Sequence, residues 1–88
     1  MEIRNILVTA RFERQYKKLP EKVKIAAKEK EAIFRSDSLD ARLATHKLHG
    51  REKGAWAFSI THSYRVKFTL LDPGEVLFLE VGTHDIYQ

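Results

Sequence analysis

The chain has 88 residues, of which 43% are hydrophobic, and a net charge of +4 at pH 7. These values predict one globular domain over residues 1–88, with a single core, and argue against disorder. The absence of cysteine excludes disulfides and thiolate metal sites. No apolar run approaches the roughly 20 residues that span a bilayer, and the N-terminus lacks signal-peptide features, so we expect a cytoplasmic protein without membrane association.

The charge is unevenly distributed along the chain. Residues 1–53 contain 14 Lys and Arg against 8 Asp and Glu, whereas residues 54–88 contain 2 against 4. A concentration of positive charge attracts nucleic acid or an acidic protein partner. A lysine-rich helix surface in contact with solvent would give the same pattern, so charge alone leaves these alternatives open.

The first part of the chain is predicted to form a strand and two helices. Residues 2–8 end in an apolar run typical of a strand, and Thr9 suits the N-cap of a helix over about residues 10–19. Pro20 ends that helix and is well placed to begin a second one, over residues 21–35. Each helix has an apolar stripe, so we expect an αα-hairpin packed on a sheet.

A polar connector is predicted over residues 39–53. At roughly 15 residues it is longer than most connections, and long loops are often functional. His46 and His49 have an i, i+3 spacing, but no further ligand stands at a recognisable distance in sequence, so we do not expect a metal site. The connector also contains several cations: Lys47, Arg51 and Lys53.

Two strands are predicted on either side of a break at His62–Ser63. Alternation places one large apolar set on the core face: Trp56, Phe58, Ile60, Tyr64, Val66, Phe68 and Leu70. Aligning the two strands in this way requires an odd-length loop or a bulge at the break. Arg65 and Lys67 then lie side by side on the other face, among small residues, where they would suit an anionic ligand.

A turn at residues 71–75 precedes a last strand at residues 76–82, which is predicted to pair antiparallel with the strand before it. The element order predicts an α+β domain: an N-terminal strand, an α-helical hairpin, then a three-stranded antiparallel meander (β-α-α-β-β-β). In this arrangement the tail at residues 83–88 emerges close to Arg65.

Four residues form a candidate catalytic set: His46, Arg65, His84 and Tyr87. For RNA cleavage such a set requires no metal. A histidine can take the proton of a 2′-hydroxyl or protonate the leaving 5′-oxygen, an arginine can stabilise charge on the phosphoryl oxygens, and an aromatic ring can stack on a base. Structural roles are the alternative: Arg65 would pair with Glu80, His84 would cap the strand, and Tyr87 would pack the terminus.

The chain resembles the RelE/ParE superfamily of toxins from toxin–antitoxin systems, and more closely its RelE and YoeB-like branch. The resemblance covers nearly the whole chain and depends on short segments: Phe12, Leu19–Pro20, residues 46–50, residues 54–56, residues 64–66 and residues 82–87. It implies a ribosome-dependent endoribonuclease that cuts mRNA; since the candidate set requires no metal for this reaction, we expect no metal and no cofactor. It also implies the RelE-like fold, and a cognate antitoxin that holds the toxin inactive.

The resemblance also assigns roles to individual residues. Arg65 matches an arginine that contacts the scissile phosphate, and His84 matches a candidate general acid. Tyr87 is similar to a stacking aromatic, displaced by two residues, and His46 stands where relatives have a carboxylate base. Lys47, Arg51 and Lys53 fall among basic residues that contact RNA, and we add Lys67 from its position beside Arg65.

Two other functions are open to the same fold. One is a ParE-like toxin that inhibits DNA gyrase and has no nuclease activity. The other is a degenerate relative that only binds an antitoxin and DNA. The terminal histidine and tyrosine, together with Arg65, favour the nuclease, whose partners would be an antitoxin, the ribosome and mRNA.

Overall fold

One mixed sheet with two helices on one face makes up the fold in the computed structural model, which describes residues 2–50 and 54–87. Its elements are β1 (Asn5–Val8), α1 (Ala10–Lys17), α2 (Glu21–Ser36), β2 (His46–Lys47), β3 (Ala55–Ser59), β4 (Arg65–Leu70) and β5 (Glu75–Gly82). Short 3₁₀ helices lie at Ala41–Leu43 and at His84–Tyr87, and the second of these is called the C-terminal turn. No helix in these ranges is long and apolar enough to cross a membrane.

The strands lie in the order β1-β5-β4-β3-β2. β1 is parallel to β5, and the other neighbours are antiparallel. The predicted α+β order and the meander are therefore confirmed. The structure adds β2, a two-residue strand inside the predicted connector, and it begins β1 at Asn5 rather than at residue 2.

The predicted start of α1 is confirmed. The Thr9 hydroxyl accepts a hydrogen bond from the Phe12 amide at 3.0 Å and donates one to the Leu79 carbonyl at 2.8 Å. The first bond satisfies an amide that has no partner within the helix. The second attaches the start of α1 to β5. Pairing of β1 with β5 ends at Val8 and Phe78, so Leu79, the next residue of β5, is bonded to Thr9 instead.

The core lies between the helices and one face of the sheet. Phe34 of α2 is fully buried, with ring centroids 4.7 Å from Phe58, 5.0 Å from Phe68 and 5.6 Å from Phe78. One helix residue therefore contacts three neighbouring strands. Trp56, predicted to be a core residue, is only partly buried at the margin of this cluster and stacks on Phe68.

The predicted alignment of the central hairpin is confirmed. Five residues, 60–64, connect β3 to β4, so Phe58 pairs with Val66 and Trp56 pairs with Phe68. This odd-length loop supplies the one-residue shift that the apolar pattern requires. As a result, Arg65 and Lys67 lie on the sheet face opposite the helices.

Candidate active site

Two neighbouring rows of paired residues lie at one end of the sheet face that the helices leave uncovered. Residues directly opposite each other in an antiparallel pair share a face. The first row contains Ser59, Arg65 and Gly82, and the second contains His46, Ala57, Lys67 and Glu80. We call this surface the polar face; it carries two of the four predicted catalytic residues.

Arg65 is held in place by β3 and by the loop that follows it. Its Nη1 donates to the Ser59 hydroxyl at 2.7 Å and to the Thr61 carbonyl at 3.1 Å. Arg65 is partly exposed, and within residues 2–50 and 54–87 it forms no ion pair with a carboxylate. The alternative pairing with Glu80 is therefore not observed, and Arg65 retains its charge for an anionic ligand.

His46 lies on the polar face in the short strand β2, where it pairs with Ala57. Its Nδ1 is 3.0 Å from the Ala44 carbonyl oxygen. Because a carbonyl only accepts hydrogen bonds, this contact requires the proton on Nδ1 and leaves Nε2 of the neutral ring as an acceptor. The exposed ring therefore presents its basic nitrogen away from its own backbone.

The backbone before His46 is fixed by a short 3₁₀ helix. The Asp40 carboxylate accepts from the Arg42 amide at 2.9 Å and from the Arg42 guanidinium at 2.9 and 3.0 Å. These hydrogen bonds lower the pKa of Asp40 to about 2. Ala44 ends this helix in the left-handed conformation, with a φ of 51°, which turns the chain into β2.

The C-terminal turn places His84 close to Arg65 along the backbone. Arg65 pairs with Gly82, and exposed His84 follows two residues later. His46 lies two strands away on the opposite side, at a backbone distance of about 12 Å for strand spacings of about 4.8 Å and a rise of about 3.3 Å per residue. Tyr87 ends the turn, and the structure describes only its backbone.

Lys67 shares the polar face with Arg65 but is buried, with 6% of its surface exposed. Its ammonium is 2.6 Å from the Glu80 carboxylate and donates to the Ile86 carbonyl at 2.9 Å. Burial raises the pKa of Glu80, but the hydrogen bond and positive charge of Lys67 outweigh it, so this pKa lies below its ordinary value.

The remaining predicted residues do not join this arrangement. Lys47 lies on the opposite face of the sheet, where its ammonium is 5.8 Å from the centre of the Trp56 ring. His49 is exposed, while Arg51 and Lys53 lie outside the described residues. In the part of the chain that the structure describes, no three His, Asp or Glu side chains are grouped so as to hold a metal.

The sequence analysis did not assign Ser59 or Glu80 its role in supporting the site. Ser59 holds Arg65, and the alternation of β3 could have placed it on the same face. Glu80 pairs with Lys67 because a register shift beside Lys67 moves Glu80 to the polar face. The sequence signal is the apolar spacing of β5, which changes from two residues between Val76 and Phe78 to three between Phe78 and Val81.

The fold is similar to those of several solved structures, one of which is described as a toxin. A protein from Agrobacterium tumefaciens described as a YoeB/ParE toxin has a TM-score of 0.78 and 13% identity, over 92% of this chain and 99% of its own. YafQ from Escherichia coli strain BL21(DE3) has a TM-score of 0.69 and 20% identity, over 94% and 96%. The archaeal RelE–RelB complex from Pyrococcus horikoshii has a TM-score of 0.72 and 16% identity, over 94% and 96%.

No protein-family model matches the chain, and no curated protein matches it significantly. Identities of 13–20% over nearly full lengths show a shared fold without close sequence relationship. The TM-scores and coverages show that the overall fold is shared over more than 90% of this chain. The chain has the RelE/YoeB-like toxin fold.

Proposed function

We propose that this protein is the toxin of a toxin–antitoxin pair and cleaves mRNA on the ribosome. The observation that carries the proposal is the state of Arg65. It is a partly exposed guanidinium on the polar face, oriented by Ser59 and without a carboxylate partner in the described ranges. Structures with the same fold are described as toxins, and one of them as a complex of RelE with RelB.

The proposed reaction is attack of a 2′-hydroxyl on the adjacent phosphate, without a metal. His46 takes the hydroxyl proton on Nε2, and the 2′-oxygen then bonds to phosphorus. Arg65 stabilises the charge that develops on the phosphoryl oxygens, and His84 protonates the 5′-oxygen as its bond to phosphorus breaks. Tyr87 stacks on a base of the substrate.

The spacing of the three groups suits a substrate that lies across the strands. His46 is on β2, Arg65 is on β4, and His84 follows β5, so the arginine lies between the two histidines. A separation of about 12 Å between the backbones of His46 and Arg65 leaves room for a phosphodiester between their side chains. Base and acid then act on opposite sides of the phosphate, as in-line displacement requires.

Further contacts to RNA are proposed for basic residues of the connector over residues 39–53. Lys47, Arg51 and Lys53 follow His46 in sequence and would bind phosphates away from the scissile one. Lys67 acts indirectly in this scheme, because its ammonium is engaged by Glu80 and Ile86. Its predicted contact with RNA is thereby replaced by a structural role in the proposal.

An antitoxin is the proposed protein partner. The excess of Lys and Arg in residues 1–53 suits an acidic, amphipathic segment that folds on the helical hairpin. The RelE–RelB complex from Pyrococcus horikoshii is a precedent for a partner on this fold. The toxin itself would act in the cytoplasm, where ribosomes and mRNA are available.

The first prediction concerns Arg65→Ala. Cleavage of a reporter mRNA on translating ribosomes, followed by mapping of 5′ ends, should slow by about 10²- to 10³-fold, because one preorganised donor to the transition state is lost. Arg65→Lys keeps the charge and loses the planar fork, so it should recover only part of the rate. Arg4→Ala, which removes an exposed arginine near Pro73, is the matched control and should cleave like the wild type.

Three outcomes would contradict the proposed nuclease function or the role of Arg65 in it. Cleavage by Arg65→Ala within a few-fold of the wild type would remove Arg65 from the chemistry. Absence of cleavage by the wild type, together with inhibition of DNA supercoiling by gyrase, would identify the ParE-like alternative. Binding to an antitoxin and DNA with neither activity would identify a degenerate relative.

A further inference from the structure

A buried lysine lies beneath the C-terminal turn. Lys67 is two residues from Arg65 on β4 and has the same orientation, yet 6% of its surface is exposed. Lysine is almost never buried to this degree unless its ammonium is paired and hydrogen-bonded. Here both conditions are met, by the Glu80 carboxylate at 2.6 Å and the Ile86 carbonyl at 2.9 Å.

Glu80 and Ile86, two partners of Lys67 among the described residues, belong to different elements. Glu80 lies directly opposite on β5, and its carboxylate is also 3.4 Å from the Gln15 amide and 3.5 Å from the Arg11 guanidinium of α1. Ile86 belongs to the C-terminal turn. The ammonium therefore connects the sheet to the segment that carries His84, while Glu80 balances its charge.

A close hydrophobic contact accompanies this hydrogen bond. The Ile86 side chain is 5% exposed, and a Cβ added to Gly82 would lie 2.9 Å from Ile86 Cγ2. Such a distance is shorter than van der Waals contact, so the turn packs directly on the backbone of Gly82, the residue paired with Arg65. Within the turn, the Ile86 amide donates to the Thr83 carbonyl at 3.2 Å.

We infer that Lys67 is a positioning residue: with Ile86 and Gly82 it fixes the C-terminal turn on the polar face and so places His84 beside Arg65. This inference rests on the proposed nuclease function for the role of His84, although the docking of the turn does not. A four-residue 3₁₀ helix is weakly stable alone, so the turn depends on contacts with the sheet. The hydrogen bond from the buried Lys67 ammonium to the Ile86 carbonyl is such a contact, and it is directional.

The division between the two cations follows from their neighbours. Arg65 pairs with Gly82, which has no side chain, and its charge remains available to substrate. Lys67 pairs with Glu80 and has little access to solvent. Lys67 therefore has a structural role in the site, whereas Arg65 is the cation that contacts the substrate.

The test removes the interaction of the Lys67 ammonium with Glu80 and Ile86 without leaving an unpaired buried charge. In the double variant Lys67→Met/Glu80→Gln both side chains keep similar volume and neither is ionised. Hydrogen exchange at the Ile86 amide should become at least tenfold faster, because the turn is released from the sheet. In the ribosome-dependent cleavage assay kcat should fall by about 10- to 100-fold with KM for ribosomes unchanged, since a misplaced acid slows chemistry rather than binding.

Two controls separate docking from general destabilisation. Lys67→Arg keeps a cation that can reach both partners, so it should restore much of the exchange protection and of kcat. Ile33→Val removes one methylene from α2 at the edge of the core. It should lower the free energy of unfolding slightly, and exchange at the Ile86 amide should stay much slower than in the double variant. Equal effects of Ile33→Val and the double variant would overturn the inference.

The two levels of the proposal fail in different ways. If the wild type cleaves no RNA, the nuclease function fails, but exchange at Ile86 still decides whether Lys67 docks the turn. If the double variant keeps slow exchange and a kcat within twofold of the wild type, the positioning role fails while the nuclease function stands. If exchange at the Ile86 amide is faster in the double variant but kcat is unchanged, Lys67 docks the turn, but His84 does not act in the reaction and the positioning role is disproved.

Discussion

Arg65 and Lys67 are two residues apart on one strand, and their different environments depend on one register shift. The shift next to Lys67 places Glu80 opposite it and moves Gly82 opposite Arg65. A regular ladder would instead pair Lys67 with Leu79 and bring Glu80 to the core face. A single irregularity in β5 therefore neutralises one cation and spares the other.

The ion pair of Lys67 and Glu80 should make stability depend on pH. Because the pKa of Glu80 is lowered in the folded protein, its stabilising contribution is complete above the ordinary carboxyl pKa of about 4.3. It is lost as the pH falls through the lower, folded-state pKa. Urea unfolding between pH 7 and pH 3 should therefore show a steeper loss of stability for the wild type than for Glu80→Gln. Parallel curves would mean that the pair does not contribute.

The sequence allowed the shared face of Arg65 and Lys67 to be predicted, because alternation along β4 depends only on local order. It did not allow their different burial to be predicted. That difference depends on the bulge and on the C-terminal turn, both of which are contacts between distant parts of the chain. Pairing of Glu80 with Lys67 rather than with Arg65 has the same origin.

Among the secondary-structure elements, those with a strong local signal were the most predictable. The start of α1 followed from Thr9, and the extent of α2 followed from Pro20 and an apolar stripe. β2 could not be predicted, because two residues are too few for a pattern. It is held by pairing with β3 and by the bond from the Leu48 amide to the Ala55 carbonyl at 2.9 Å. The position of His46 on the polar face could therefore not be predicted, because the sequence indicated only a connector there.

Removal of the cap at Thr9 should weaken both α1 and its attachment to β5. Thr9→Ala loses the bonds to Phe12 and Leu79, so the free energy of unfolding should fall by about 1–2 kcal/mol. Thr9→Ser retains the hydroxyl and should lose much less. Urea unfolding of the two variants measures the difference, and equal losses would indicate that the methyl group, rather than the hydrogen bonds, matters.

At the scale of the whole molecule, the sheet separates the main core from the proposed site. The helices and the aromatic cluster occupy one face, while His46, Arg65 and the C-terminal turn occupy the other. The sequence predicted this division, since alternating strands and amphipathic helices dictate which faces are buried. Side chains on the polar face can therefore change without disturbing the main core.

Phe34 is the test of that division, because it contacts three strands from the helix side and is fully buried. Phe34→Ala should lower the free energy of unfolding by about 3–5 kcal/mol, through lost apolar burial and the cavity left behind. A domain of this size has a total stability of about 4–13 kcal/mol, so the loss is a large part of it.

Ile25→Ala is the matched control for Phe34→Ala. Ile25 lies on the same helix with 57% of its surface exposed, and its substitution should change stability by less than about 0.5 kcal/mol. Urea unfolding should show a much lower midpoint for Phe34→Ala, with an unchanged m-value if the native state stays compact. At urea concentrations where the folded form still predominates, its cleavage rate per folded molecule should match the wild type. A slower rate in the folded form would show that the aromatic cluster also shapes the polar face, and the separation of the two faces would be disproved.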